Sequence, residues 1–186
     1  MRQVTVDTVI SAPREEIFDF IADLSLRPSF TDHYLKDFRL AGAKPVGVGA
    51  SSRFLLDTRI FSERGGLTVV ELERPRRMVE EGGVGRRGRS RMVAIYDLSP
   101  VAGGGTRVAL TTYSEPGIWV DRLKQRGVHR WVRRQSKKSL ERLKAIFEEP
   151  GRHEIKRVTV AGYESVKAPR FGAHIPIERK PAPADG

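Results

Sequence analysis

Apolar and polar positions alternate from Val4 to Ile10, and the β-branched residues in that run predict a strand. Ser11 follows as a predicted N-cap, Pro13 sits where a helix start tolerates it, and Glu15 and Glu16 place carboxylates in the first turn. The apolar positions Ile17, Phe18, Phe20, Ile21 and Leu24 then recur with helical spacing over more than half a circumference, which predicts a helix packed on the body of the protein. Pro28 to Tyr34 reads as a second, shorter helix or an irregular turn. From Lys36 to Glu115 no helical period holds. Strand-like runs are predicted at Lys36–Ala41, Ala50–Asp57, Leu67–Arg74, Arg77–Gly82, Arg89–Leu98 and Thr106–Ser114. Gly65-Gly66, Arg74-Pro75 and Gly103-Gly104-Gly105 are read as the breaks, and the short connections favour antiparallel neighbours. Ile118 to Glu149 is the longest helical pattern, stopped by Pro150-Gly151.

Two irregularities in this pattern bear on function. Between Val132 and Leu140 the inward stripe of the long helix is interrupted by Gln135, Ser136 and Ser139. That is the composition of a wet cavity wall, or of serines bonded to backbone carbonyls. In the strand around Met92 to Tyr96, Val93 and Ile95 fall on the face opposite Met92, Ala94 and Tyr96, so one sheet carries apolar groups on both sides. The segment after Glu149 contains the strand-like run Val158-Thr159-Val160, is placed to cover that second face, and ends in a Pro-rich tail expected to be poorly ordered beyond about Ile177.

The 186 residues suit one core, without any apolar run long enough to span a membrane and without a secretory signal at the N-terminus, so a soluble cytoplasmic protein is expected. The absence of cysteine excludes disulfides, thiolate metal sites and cysteine nucleophiles. The net charge of +11 invites a nucleic-acid or anionic-membrane partner. However, 25 Arg against 9 Lys and no Asn is the skew of GC-rich codon usage, expected of a bacterial chain. The long helix concentrates Arg130, Arg133, Arg134, Lys137 and Lys138 at its middle, without the interleaved aromatics of a stacking platform, and is read as a solvated face.

Catalytic signatures are sparse. Gly83-Val84-Gly85-Arg86-Arg87-Gly88 satisfies the dinucleotide pattern literally, but a strand rather than a helix follows it, so it reads as a hairpin tip. His33, His129, His153 and His174 have no metal-ligand spacing, and neither metal nor cofactor is expected. His33, Tyr34, Glu80, Tyr96 and Tyr113 are the candidate acids and bases, in no recognisable constellation.

The order strand, helix, short helix, six strands and long helix resembles the helix-grip architecture of the SRPBCC superfamily, which includes START, Bet v 1 and polyketide cyclase/dehydratase-like proteins. Ser11-Ala12-Pro13-Arg14-Glu15-Glu16-Ile17-Phe18-Asp19-Phe20-Ile21-Ala22-Asp23 looks like its opening strand-to-helix signature. Gly47-Val48-Gly49-Ala50 and Tyr96-Asp97-Leu98-Ser99-Pro100 with Gly104-Gly105-Thr106-Arg107-Val108 look like later parts of the same pattern.

The resemblance implies an α+β fold in which a curved seven-stranded antiparallel sheet wraps the C-terminal helix. Residues 1–150 would form the ligand-binding domain and 151–186 an extension packed in part on it. It also implies an internal cavity for a lipid, isoprenoid quinone or polyketide. Strand alternation and the helix pattern line that cavity with Phe30, Tyr34, Phe54, Met92, Tyr96, Leu110, Thr112, Trp131 and Gln135. Binding is the leading function, with cyclase- or dehydratase-type catalysis and a basic-surface partner, RNA or anionic membrane, as alternatives. Monomer and homodimer are both open.

Overall fold

The structure, a computed structural model, describes residues 2–58, 62–85, 88, 90–115, 119–149 and 151–161. Seven strands, β1 (Arg2–Ile10), β2 (Leu35–Leu40), β3 (Ser51–Asp57), β4 (Ser62–Glu73), β5 (Arg77–Val84), β6 (Ser90–Pro100) and β7 (Thr106–Glu115), form one antiparallel sheet in the order β1-β7-β6-β5-β4-β3-β2. Only the β1–β7 contact joins strands distant in sequence; every other neighbour is a sequential hairpin. Helices α1 (Arg14–Ala22) and α2 (Pro28–Thr31), bridged by a 3-10 turn at Leu24–Leu26, separate β1 from β2, and α3 (Trp119–Glu148) follows β7. This is the helix-grip arrangement expected from the sequence.

Local chemistry explains the helical corner. α1 starts at Pro13, which is its N-cap in an extended conformation, and not at Ser11. The Ser11 amide instead donates to Glu148 Oε1 at 2.9 Å, tying the end of β1 to the end of α3. That bond holds the Glu148 carboxyl below its ordinary range. α1 buries Ile17, Phe18, Ile21 and Ala22 as one stripe. The Asp23 carboxylate then receives the Ser25 amide at 2.9 Å and its hydroxyl at 2.6 Å, which fixes the turn. Pro28 occupies the first turn of α2, where its missing N–H costs nothing.

On the sheet, alternation sends Val6, Ile10, Val108, Leu110, Tyr96, Leu98, Met78, Val69, Phe54 and Leu40 to one concave face, where all are buried against α1, α2 and α3. Leu140 and Leu143 of α3 complete this core. Gly65 and Gly66 lie inside β4, which begins at Ser62, rather than breaking it. The reason is crowding: a Cβ on Gly65 would stand 2.8 Å from the Phe54 ring and 2.9 Å from Val84. Opposite, a Cβ on Gly82 would stand 2.0 Å from the Gly66 carbonyl oxygen. Gly82→Ala is therefore expected to force the β4–β5 pair apart and cost about 3 kcal/mol or more, whereas Gly65→Ala, opposed by side chains, costs about 1–3 kcal/mol. Thermal melts of the two variants check the ranking.

The chain after α3 packs on the sheet's β2 edge. Val158 is buried, its amide donates to the Ser25 carbonyl at 2.9 Å, and the Leu40 amide donates to the Thr159 carbonyl at 3.0 Å. Ser29 Oγ receives the Lys156 amide and returns a bond to the Lys156 carbonyl. This part of the extension thus closes an open strand edge instead of covering the second sheet face. The remainder, including the tail beyond Ile177 and His174, lies outside the described residues.

Candidate functional site

The centre of the concave face holds a charged cluster inside an apolar interior. Arg27 stands between the 3-10 turn and α2, where its carbonyl accepts from Phe30, from Thr31 and from the Thr31 hydroxyl. Its side chain runs beneath the helices to the sheet. Arg27 Nη2 lies 3.1 Å from Glu80 Oε1, and both side chains are at most 4% exposed. Arg27 Nη1 donates to the Tyr96 hydroxyl at 2.5 Å, and the guanidinium stacks over the Phe30 and Tyr96 rings at 5.4 and 5.0 Å. Arg27 Nε is buried with no partner.

Electrostatics follow from this burial. Desolvation raises the Glu80 pKa, an effect that Arg27 offsets only in part. Desolvation also pushes the Tyr96 and Tyr34 phenols up, so both stay neutral. Burial alone would lower Arg27, but Glu80 and Tyr96 hold it raised and charged. Ser139, fully buried on α3, lies beside the Tyr34 hydroxyl without a hydrogen bond of standard geometry. Of the serines interrupting the α3 stripe, this one therefore faces other side chains, not a backbone carbonyl.

A second polar group ties α2, α3 and the C-terminal segment together. Asp32 receives Lys156 Nζ at 2.5 Å and also Arg142 Nη1, and these cations hold its carboxyl below the usual range although burial opposes them. His33 Nε2 donates to the Gln135 carbonyl at 3.3 Å, and Nδ1 accepts from Arg142 at 3.2 Å. Accepting from Arg142 requires the neutral imidazole, and burial first, then Arg142 and Lys138, lower its pKa to about 4 although the bond to the Gln135 carbonyl opposes them. A group depressed in this way leaves the folded state binding fewer protons than the unfolded chain, so its contribution to stability is lost as pH falls from about 6.5 towards 4. His33→Gln, which keeps a neutral donor, is expected to flatten the melting temperature against pH across that window. An unchanged slope would remove His33 as its source.

The expected cavity residues separate into groups. Tyr96, Phe30 and Tyr34 meet around Arg27, and Trp131 sets its ring edge-on to Tyr34 at 5.9 Å. Leu110 pairs with Tyr96, Thr112 with Ala94, and Met92 with Gly82, all on the concave face. Gln135 is partly buried on α3, its carbonyl used by His33. Phe54 is buried at the other end of the face and stacks on Phe38 at 6.3 Å. Tyr113 pairs with Val93 and Gln3 on the convex face, so alternation removes it from the candidate acids and bases. Arg27 is the residue that sequence reasoning missed. Its signal is an arginine enclosed by apolar positions in Leu24-Ser25-Leu26-Arg27-Pro28-Ser29-Phe30.

Burial changes along the concave face. Ile10, Met78, Val108 and Leu98 are 0–4% exposed, whereas Leu56, Leu67, Leu72, Met92 and Tyr34 are only partly buried, as is Trp131 beside Tyr34. A separate groove of about 490 Å³ lies outside the β2 edge, between α2 and the C-terminal segment, with a mixed lining that includes Pro28, Asp32, Phe38 and Lys156. Among the described residues no group of His, Asp and Glu is arranged to hold a metal, and no helix is long and apolar enough to cross a membrane. Val84 pairs with Ser90, so the glycine-rich run falls at the hairpin between β5 and β6.

A family model described as polyketide cyclase / dehydrase and lipid transport matches residues 1–148. Among solved structures, protein TTHA0849 from Thermus thermophilus is 20% identical, covering 77% of this chain and 94% of its own, with a TM-score of 0.64. The KanY protein is 20% identical over 80% of this chain and 99% of its own, with a TM-score of 0.63. A protein from Mesorhizobium loti is 18% identical over 80% and 98%, with a TM-score of 0.59. At these identities the likeness is one of fold. No curated protein matches the chain.

Proposed function

Because the chain belongs to the polyketide cyclase / dehydrase and lipid transport family, we propose that it binds a hydrophobic small molecule between the concave sheet and α3. The observation that carries this reading is the change in burial. Register assigns Leu56, Leu67 and Met92 to the same inner face as Met78 and Val108, yet their apolar surface is left partly open. A ligand of lipid, quinone or polyketide type would cover such inward apolar surface. The buried Arg27, Glu80 and Tyr96, with the partly buried Tyr34, would form the polar end of the site. Arg27 Nε and Ser139 Oγ offer unmet hydrogen bonds there, while Glu80 already balances the arginine's charge. A neutral head group bearing a carbonyl or hydroxyl suits that environment better than a second anion. Titration with a fluorescent fatty alcohol and a fluorescent fatty acid tests both points: saturable uptake favouring the alcohol is expected, and no uptake of either contradicts the reading.

A catalytic reading rests on the same cluster. Two neutral phenols beside a guanidinium fixed by Glu80 can donate hydrogen bonds to a ketone oxygen and stabilise the charge it gains during ring closure or dehydration. It predicts turnover of a polyketone whose rate collapses in Glu80→Gln or Tyr96→Phe while binding persists.

A further inference from the structure

The basic residues at the middle of α3 form one surface. Arg130, Arg133, Arg134, Lys137 and Lys138 follow each other at helical spacing, and all five are exposed. Lys137 pairs with Glu141 at 3.8 Å; among the described residues the other four have no carboxylate at ion-pair distance. Elsewhere Arg77, Arg91 and Arg107 on the sheet and Arg74 and Arg76 in the β4–β5 turn each face an acidic partner, while Arg39, Arg53 and Arg64, unpaired among the described residues, are spread over three strands. The stripe is therefore a local surplus of charge and not a solvated face of alternating sign. It also has a position: Trp131 lies within it in sequence, partly buried, with its edge against Tyr34 at the open end of the concave face.

We propose that this stripe docks the protein on an anionic lipid bilayer, setting the open end of the concave face against the membrane. Basic side chains near an anionic leaflet contribute about 1 kcal/mol each, and a tryptophan beside them suits the headgroup region. A nucleic-acid strand would instead need several exposed ring faces for stacking, and the stripe interleaves none: its one aromatic neighbour, Trp131, is partly buried. The proposal rests on the ligand-binding reading only for why a bilayer would be visited, as the source or destination of an apolar cargo.

Sedimentation with phosphatidylcholine vesicles, with and without phosphatidylglycerol, tests it on the full chain. Binding is expected only to the phosphatidylglycerol vesicles, weakening as salt rises. The variant R130Q/R133Q/R134Q/K138Q is expected to lose at least about a hundredfold in vesicle affinity. A control, R64Q/R76Q/R91Q/R107Q, changes net charge equally at exposed positions on the sheet and its β4–β5 turn and is expected to keep most of the binding. Fluorescent-alcohol uptake measured in parallel without vesicles is expected to be unchanged in the helix variant, which shows that it is folded and separates failure of docking from failure of the ligand site. Equal binding to both vesicle types, equal losses in helix variant and control, or salt-sensitive binding of an RNA oligonucleotide with no vesicle binding would each overturn the proposal.

Discussion

Arg27→Met is expected to destabilise the protein by about 3–5 kcal/mol near neutral pH, while the double variant Arg27→Met/Glu80→Met returns to within about 1 kcal/mol of the parent or exceeds it. The single change leaves the Glu80 carboxylate in a dry interior without its partner 3.1 Å away, and also removes the donor to Tyr96. The double change removes both charges and refills the space with apolar volume. The effect also carries a sign in pH. Burial already raises the Glu80 pKa, so the folded state binds this proton more readily than the unfolded chain. The group thus favours folding at acid pH and loses that contribution as pH rises through its folded pKa. Without Arg27 that pKa climbs further, so the deficit of the single variant shrinks on acidification. Urea denaturation of the parent, both single variants and the double variant at two pH values measures the coupling. An Arg27→Met protein as stable as the parent would mean that the buried pair is not formed as described.

Filling the open end of the concave face is expected to abolish ligand uptake without harming the fold. Leu67→Trp and Met92→Trp each add an aromatic ring at a position that is inward by register yet only partly buried. The added ring therefore has space to occupy, unlike an enlargement at Met78, which is fully buried and would cost about 1–3 kcal/mol from overpacking. The expected result is at least a tenfold loss in affinity for a fluorescent fatty alcohol, about 1.4 kcal/mol, with an unchanged melting temperature. Undiminished uptake in both variants would place the ligand elsewhere, and a collapse in stability would mean that the space is already filled.

Much of this architecture was readable in the pattern of apolar positions. The alternation at Val4–Ile10, the helical stripe from Ile17 and the long pattern ending at Glu149 each produced an element close to the observed one, because each buries one face against a single core. The errors arose where tertiary contacts decide. Gly65-Gly66 reads locally as a break, but it lies within β4, where Phe54, Val84 and the Ser52 carbonyl of β3 leave no room for side chains. Ser11 reads as a cap, but its amide is claimed by Glu148 from the far end of the chain.

The candidate site was legible in its apolar part and not in its charged part. Phe30, Tyr34 and Tyr96 follow from alternation and proximity. Arg27 and Glu80 are separated by more than fifty positions in sequence, and nothing local marks either as buried. Only the packing of the 3-10 turn over β5 brings them together. The same holds for Asp32, Arg142 and Lys156, which meet only when α2, α3 and the C-terminal segment converge.

Native mass spectrometry of protein purified gently from its own source, compared with the same sample denatured, tests the ligand-binding claim most directly. A released, non-covalent mass of a hydrophobic compound bearing a neutral oxygen group is expected, absent from the Leu67→Trp and Met92→Trp variants. A protein that carries no such mass, and also takes up neither fluorescent probe, would contradict it.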